Sequence, residues 1–261
     1  MTFVEKPEKL RAIILAAGKG TRMKSDLVKV LHPLCGKPML SYVVEVAKKV
    51  GSEEIAVIVG YQADAVQERF SNRNLTFIEQ RKQLGTGHAV LQARKTFEYF
   101  NGTVLILCGD VPLLKPATVR SLLNRHMATD VSVTVLTAVL PDPAGYGRII
   151  KGPEGKVLRI VEERDATEAE RKITEINTGI YCVKSDFLFD SLSKIDNSNA
   201  QKEYYLTDII AIACENGYGV GSLVAENYRE VMGINTQEEL ERACLYMSKV
   251  DKAGLTCDAT G

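Results

Sequence analysis

The sequence predicts an α/β fold in which a largely parallel sheet is covered by helices on both faces. Three observations predict it. Short, continuous apolar runs recur between residues 11 and 107, amphipathic stretches separate them, and glycine closes several of the runs. Uninterrupted apolar strands alternating with helices are the pattern of strands buried on both sides. After Asp130 the texture changes to alternating β-branched residues and Gly/Pro turns, which adds a mixed, more antiparallel region to the sheet.

Taken in order, Arg11-Ala12-Ile13-Ile14-Leu15-Ala16 reads as the first buried strand, ending in small residues and Gly18. Pro38 opens a helix over Met39–Val50, with Leu40, Val43, Val44, Ala47 and Val50 on one face and Gly51 as its stop. Ile55–Val59 is a second strand closed by Gly60, 61–70 a short helix, and Leu75–Glu79 a third strand. Thr86–Phe97 reads as helix, and Thr103–Leu107 as the fourth and most apolar strand, ending at Cys108-Gly109-Asp110. Val131, Val133, Val135, Thr137 and Val139 alternate along a further strand, with turns at 141–147 and 152–155. Val157–Glu162 and Gly179–Val183 are strands, and helices are expected at 185–194, 205–216 and 235–250. No repeat or low-complexity linker divides the chain. One unit is expected, with a nucleotide-type half at about 10–130, a substrate half at about 131–250 and a short tail at 251–261.

The 261 residues carry 33 Lys+Arg against 33 Asp+Glu, a formal net charge of zero. That balance argues against a general nucleic-acid binder. No apolar run approaches the roughly 18 residues of a membrane span, and the charged start Met1–Glu8 does not read as a secretory signal. Six scattered cysteines contain no CxxC spacing, so neither a metal knuckle nor a disulfide framework is expected. A cytoplasmic protein with reduced thiols is the expectation.

The strongest local feature is Leu15-Ala16-Ala17-Gly18-Lys19-Gly20-Thr21-Arg22-Met23, directly after the first strand. Small residues and two glycines let backbone N–H groups approach a bulky anion. A dinucleotide fingerprint and a Walker A loop would both need glycine where Met23 stands, so the loop is neither. From Gly18 to Lys37 there are five basic residues (Lys19, Arg22, Lys24, Lys29, Lys37) and one acid, Asp26. This is either a solvated basic face or a phosphate site at the carboxyl end of a strand, where open α/β sheets bind ligands.

Three further segments fall at ends of the same sheet. Gln80-Arg81-Lys82-Gln83-Leu84-Gly85-Thr86-Gly87-His88-Ala89 offers an amide and glycine-freed backbone to read a base edge, or is a helix start with Thr86 as N-cap. Asp110 is placed to hold a divalent cation with phosphates and water, or is a lone aspartate in a turn. Asn235 follows Gly233-Ile234 and is by default a helix N-cap. Among the histidines, His88 reads as capping or packing, and His32 and His126 as structural or exposed. Tyr204–Asp208 fits either a lining of the substrate site or an ordinary helix start.

These motifs, taken together, resemble those of the sugar-1-phosphate nucleotidylyltransferases. The first loop with Lys29-Val30-Leu31, Gln80 with Gln83–Ala89, and Gly109-Asp110-Val111-Pro112-Leu113 carry the likeness. Gly145-Tyr146-Gly147-Arg148-Ile149, Val161-Glu162, Glu175–Gly179 and Glu203–Asp208 narrow it. Over about residues 11–250 the set is similar to the uridylyltransferase domain of bifunctional enzymes that also acetylate glucosamine 1-phosphate. Their left-handed β-helix domain has no counterpart here, so acetyl transfer is not expected.

The resemblance implies a Rossmann-like, glycosyltransferase-A-like mixed sheet. It implies Mg²⁺-dependent transfer of UMP from UTP to N-acetylglucosamine 1-phosphate, giving UDP-N-acetylglucosamine and pyrophosphate. Leu15, Ala16, Ala17, Gly18, Gln80, Gly85 and Thr86 would hold the nucleotide, and Arg22 and Lys29 the phosphates. Asp110 and Asn235 would hold Mg²⁺, and Gly147, Glu162 and Asn177 the amino sugar. Two departures stand out: Cys108 where relatives often carry tyrosine, and Val28 where proline is usual. Glucose 1-phosphate is the rival acceptor, and a sugar-nucleotide binder without turnover is the rival class. The Asp-x-Asp pair of many glycosyltransferases is absent at Asp110-Val111-Pro112.

Overall fold

Successive side chains of a strand point to opposite faces, and the first strand, β1 (Leu10–Ala16), divides its apolar residues accordingly. Ala12, Ile14 and Ala16 join one buried cluster while Ile13 joins the other. A strand apolar on both faces is stable only between two layers of helices. The computed structural model, which describes the backbone of residues 9–257 and the side chains of 9–249, shows that arrangement.

After β1 the chain makes two short 3₁₀ turns (Thr21–Met23 and Lys29–Leu31) and a small hairpin, β2 (Pro33–Leu34) and β3 (Lys37–Pro38). There follow α1 (Met39–Lys49), β4 (Glu54–Val59), α2 (Ala63–Phe70), β5 (Thr76–Glu79), α3 (Thr86–Leu91) and β6 (Thr103–Cys108). Then come α4 (Pro116–Thr129), β7 (Val133–Val139), β8 (Arg148–Lys151), β9 (Val157–Val161), α5 (Glu168–Arg171) and β10 (Glu175–Lys184). The chain closes with α6 (Ser185–Leu192), α7 (Asp208–Glu215), β11 (Val220–Val224) and α8 (Gln237–Cys257).

The main sheet runs β11-β7-β10-β6-β1-β4-β5, with the β8/β9 hairpin attached to β10. β5, β4, β1 and β6 are parallel; β10 is antiparallel to both β6 and β7. The parallel half and the mixed half therefore share one continuous sheet. Val43, Val44 and Val66 of α1 and α2, with Val119 and Leu122 of α4, cover one face. Val90 of α3, Leu188 of α6 and Ile209 and Ile210 of α7 cover the other.

Several elements differ from the sequence expectation. α4 was not foreseen, although Val119, Leu122, Leu123 and His126 are buried at helical spacing and Pro116 sits at its first turn. Strands β8 and β11 and the short α5 were also missing, each too brief or too polar for a period to register. α3 stops at Leu91 rather than Phe97, because Gln92, Ala93 and Arg94 donate to carbonyls three residues back. β10 begins at Glu175, four residues before Gly179. Its pairing with β7 shifts register between Asn177 and Tyr181, around a Gly179 held at φ +77°. α8 extends past residue 250 to Cys257, overrunning the expected tail; residues 258–261 and the start Met1–Glu8 lie outside the described residues. Among the described residues no helix is long and apolar enough to cross a membrane.

One backbone ladder joins the two halves in front of the sheet. Tyr204 donates its N–H to Leu84 O and accepts from Gly87 N at its own carbonyl, both at 2.8 Å. Gly85 lies within this ladder at φ +109°, and a Cβ there would stand 2.5 Å from Tyr204 O. Backbone strain of that kind costs about 1–3 kcal/mol even before the clash is counted. Gly85→Ala is therefore expected to lower stability by at least that amount in denaturant melts. Gly18→Ala, whose Cβ would meet nothing within 4 Å, is expected to leave the midpoint unchanged.

Candidate active site

The carboxyl ends of β1, β4, β5 and β6 open on the same side, and the loops that follow β1, β5 and β6 enclose a cleft of about 300 Å³. Its walls include Leu15, Ala16, Ala17 and Gly18 from the first loop, Gln80, Gln83, Gly85 and Thr86 from the loop after β5, and Lys29, Cys108 and Asp110. Every residue expected to hold a nucleotide is thus on one cleft, joined by Lys29 and Asp110. A second cleft, of about 590 Å³, shares Cys108 and Asp110 with the first and adds Arg22, Tyr146 and Asn235.

The charged centre lies where the two clefts meet. Lys29 Nζ is in a short ion pair with Asp110 Oδ2 and donates to Asn235 Oδ1 at 2.9 Å. Arg22 Nη2 donates to the same Asn235 oxygen, also at 2.9 Å. Lys29 and Asp110 are both largely buried, so their attraction is screened less than that of a surface pair. Gly20, at φ +65°, lets the loop fold onto Lys29: a Cβ there would stand 2.5 Å from Lys29 Cβ. Asn235 is not the helix N-cap. Thr236 takes that role, its Oγ1 accepting from Glu239 N while Glu239 Oε2 accepts from the N–H groups of Asn235 and Thr236. The Asn235 side chain is left to face the two cations.

Val28 bonds through an N–H that proline would lack: it donates to Gln62 Oε1 at 2.9 Å, while Gln62 Nε2 donates to Asp26 O at 2.8 Å. The glutamine holds the segment entering Lys29 on both sides. Cys108 donates to Gly179 O at 3.5 Å, and burial, reinforced by the charge of Asp110 and opposed by Lys29, pushes its thiol up to about 12. It is a neutral lining group.

Gln80 is 3 % exposed and its amide is engaged within the loop, donating to Gly85 O at 3.1 Å and facing His88 Nδ1 at 3.0 Å. Burial lowers the pKa of His88, which favours the neutral imidazole. The histidine packs, as expected. Thr86 is not an N-cap: Gly85 precedes the helix, and Thr86 Oγ1 accepts from Leu206 N at 3.1 Å across the join between halves. His32 and His126 are both buried; His32 Nε2 meets Leu27 O, and His126 Nδ1 meets Thr134 Oγ1 at 2.9 Å.

Gly147, Glu162 and Asn177 are brought together, but none of them lines either cleft; Glu162 instead lines a separate hollow with Asp165 and Asp208. A Cβ on Gly147 would lie 3.4 Å from Glu162 Oε2 and 3.6 Å from Asn177 Cβ. Asn177 Oδ1 accepts from Tyr181 Oη at 2.8 Å and Gly179 N at 3.0 Å, which fixes its amide. Thr207 Oγ1 donates to Glu162 Oε1 at 3.1 Å, yet burial still raises the pKa of Glu162. Thr207 is at once the residue before α7 and a partner of this group. The turn before Gly147 is pinned by Arg148, which is almost wholly buried. Its guanidinium donates to Tyr146 O, pairs with Glu163 at 2.8 Å, and reaches Arg171 O at 3.3 Å, while Glu163 also accepts from Gly145 N.

Asp110 and Asn235 present two oxygens that already converge on one cationic nitrogen. An oxygen-only pair of this kind fits a hard divalent ion whose other ligands are phosphates and water. Among the described residues no group of three His, Cys, Asp or Glu could hold a metal alone. Sequence reasoning missed Gln62, Glu203, Tyr146, Arg148 and Glu239. Tyr146, Arg148 and Glu203, the last of which also lines the first cleft, lay inside motifs that drew notice; Gln62 and Glu239 did not.

Comparison with known proteins gives three findings. Residues 11–237 match the model of the nucleotidyl transferase family. The chain is 52% identical over 235 residues to the bifunctional protein GlmU of Geobacter metallireducens, covering 90% of this chain and 49% of that protein. It is 48% identical over 241 residues to the bifunctional protein GlmU of Brevibacillus brevis, covering 92% and 52%. The chain thus spans about half the length of the curated relatives it matches. Its fold is shared with the crystal structure of a UDP-glucose pyrophosphorylase complexed with UDP-glucose, at a TM-score of 0.73, covering 93% of this chain and 99% of that one at 18% identity. The architecture is accordingly a glycosyltransferase-A-like mixed α/β sheet.

One titration follows from the acids behind Glu162. Burial, then the charges of Asp196 and Asp165, raise Asp208 to about 6. A carboxylate held higher in the fold than in the unfolded chain, near 3.9, costs nothing below that value; its cost grows to about pH 6 and persists above. Asp208→Asn is expected to raise the melting temperature at pH 8 and leave it unchanged at pH 4, read by thermal denaturation at both.

Proposed function

Because the chain belongs to the nucleotidyl transferase family, we propose that it transfers UMP from UTP to N-acetylglucosamine 1-phosphate. The products are UDP-N-acetylglucosamine and pyrophosphate. The observation that carries this reading is the convergence of Arg22, Lys29, Asp110 and Asn235 at the junction of two clefts. One cleft suits a nucleoside and the other a phosphorylated acceptor. Identity near 50% to proteins named bifunctional GlmU supports the choice of uridylyl donor and amino-sugar acceptor.

The chemistry asks little of a base or a nucleophilic side chain. An acceptor phosphate oxygen, already anionic, attacks the α-phosphorus in line as pyrophosphate leaves. Two anions must be brought together, so the protein's task is positioning and charge neutralisation. Placement of this kind is worth on the order of 7–11 kcal/mol of the barrier. The backbone of Ala17 and Gly18 and the loop from Gln80 to Thr86 would seat the uridine, and Arg22 and Lys29 the triphosphate. Gly147, free of a side chain, would let the sugar lie against Glu162 and Asn177, the carboxyl and amide meeting its hydroxyl and acetamido groups. Asp110 and Asn235 would hold Mg²⁺, which supplies further neutralisation of phosphate charge when bound.

On this reading residues 10–130 form the nucleotide half and 131–250 the sugar half of one unit, acting in the cytoplasm. A pyrophosphate-release assay with UTP and N-acetylglucosamine 1-phosphate in Mg²⁺ is expected to show turnover, and more slowly or not at all with glucose 1-phosphate. UDP-sugar binding by calorimetry with no release for any NTP and sugar phosphate would instead favour a binder. Arg22→Ala is expected to lower kcat by about 10²–10³-fold, the scale of removing one preorganised donor. Asp110→Ala should abolish turnover with circular dichroism unchanged.

A further inference from the structure

A second reactive feature lies outside both clefts. Cys35 stands at the tip of the β2/β3 hairpin and is exposed; Cys244 is half-buried on α8, 209 positions away in sequence. Their Sγ atoms are 3.3 Å apart, and the backbone N–H of Cys35 donates to Cys244 Sγ at 3.2 Å. A disulfide bond is about 2.05 Å long. Closing the remaining gap asks for about 1 Å of movement at an exposed hairpin tip.

We propose that Cys35 and Cys244 are a reversible thiol–disulfide site that staples α8 to the hairpin. The location gives the bond a purpose. α8 docks through a small apolar cluster of its own, in which Leu240 and Ala243 meet Met23, Leu34 and Met39. The two large clusters that fill the sheet faces do not include it. Cys244 packs at the rim of this small cluster. The helix it would fasten begins two residues after Asn235, and the hairpin begins two residues after the turn that carries Lys29. The bond would span the two segments that meet at the charged centre.

The chemistry balances with a low-molecular-weight disulfide as oxidant. One cysteine thiolate attacks a sulfur of oxidised glutathione and expels one glutathione thiol, forming a mixed disulfide. The other thiolate attacks the protein sulfur of that bond and expels the second. Two electrons and two protons pass from the protein to glutathione.

The test uses the full chain equilibrated in glutathione buffers of increasing oxidised fraction, alkylated and digested with trypsin without reduction. The expected product is the peptide Val30–Lys48 joined to Ala243–Lys249. It should be lost on addition of dithiothreitol and accompanied by a rise in melting temperature of about 5 °C or more. Cys35→Ser and Cys244→Ser should each abolish the product and the rise, while their reduced forms melt with the reduced parent; Cys257→Ser should retain both. Alkylated Cys35 and Cys244 at every buffer ratio would overturn the proposal. So would glutathione remaining on Cys35, a link from either cysteine to Cys257, or a linked protein that melts no higher than the reduced one.

Discussion

A single side-chain oxygen organises the front of this molecule. Asn235 Oδ1 accepts from both Arg22 and Lys29, and Lys29 pairs in turn with Asp110. Those four residues come from the loop after β1, the end of β6 and the approach to α8, segments separated by as many as 213 positions. A cation as sheltered as Lys29 requires compensating oxygens nearby. Satisfying that requirement forces the three segments to meet, and their meeting creates the junction of the two clefts. The backbone reinforces it, since Ile234 donates to Asp110 O at 2.8 Å.

Around this centre the supporting residues act mostly on backbone groups. Gln62 holds the segment leading to Lys29, Glu239 holds the N–H groups of Asn235 and Thr236, and Gln80 holds the loop at Gly85. Arg148 is almost wholly buried, and its ion-pair partner Glu163 is about one-third exposed. Removing one member of such a pair is more damaging than replacing both, because the survivor keeps its charge without a partner.

Much of this was legible in the sequence, for identifiable reasons. β1, β4 and β6 are continuous apolar runs, and a run buried on both faces leaves little ambiguity. The basic loop and Asp110 were found because they follow strand ends, where parallel sheets gather their functional loops. The misses have equally physical causes. α4 has its apolar residues at helical spacing but dilutes them with Arg120, Asn124 and Arg125, so the face is narrow. Thr86 and Asn235 fit the N-cap rule locally, and tertiary partners 120 and more positions away claimed both side chains. Gln62 sits in a left-handed conformation at φ +52° before α2. Nothing in its own sequence neighbourhood announces that its amide serves Val28. The Cys35–Cys244 contact has no local signature either, as the absence of a CxxC spacing speaks only to cysteines close in sequence.

The join between residues 84–87 and 204–206 is made largely of main-chain atoms. Its hydrogen bonds use the N–H and carbonyl of Tyr204 and the N–H of Leu206, whatever side chains those positions carry. Substitution at 85, 87, 204 and 206 is therefore governed by volume rather than chemistry, whereas Thr86 contributes its hydroxyl. Gly85 and Gly87 are its narrow points, since a Cβ on either would approach Tyr204 O to 3.0 Å or less. The opposite side of the seam can drift in composition while the distance between the two segments stays constant. On the proposed function, such a connection would let the acceptor side change without disturbing how the nucleotide is seated.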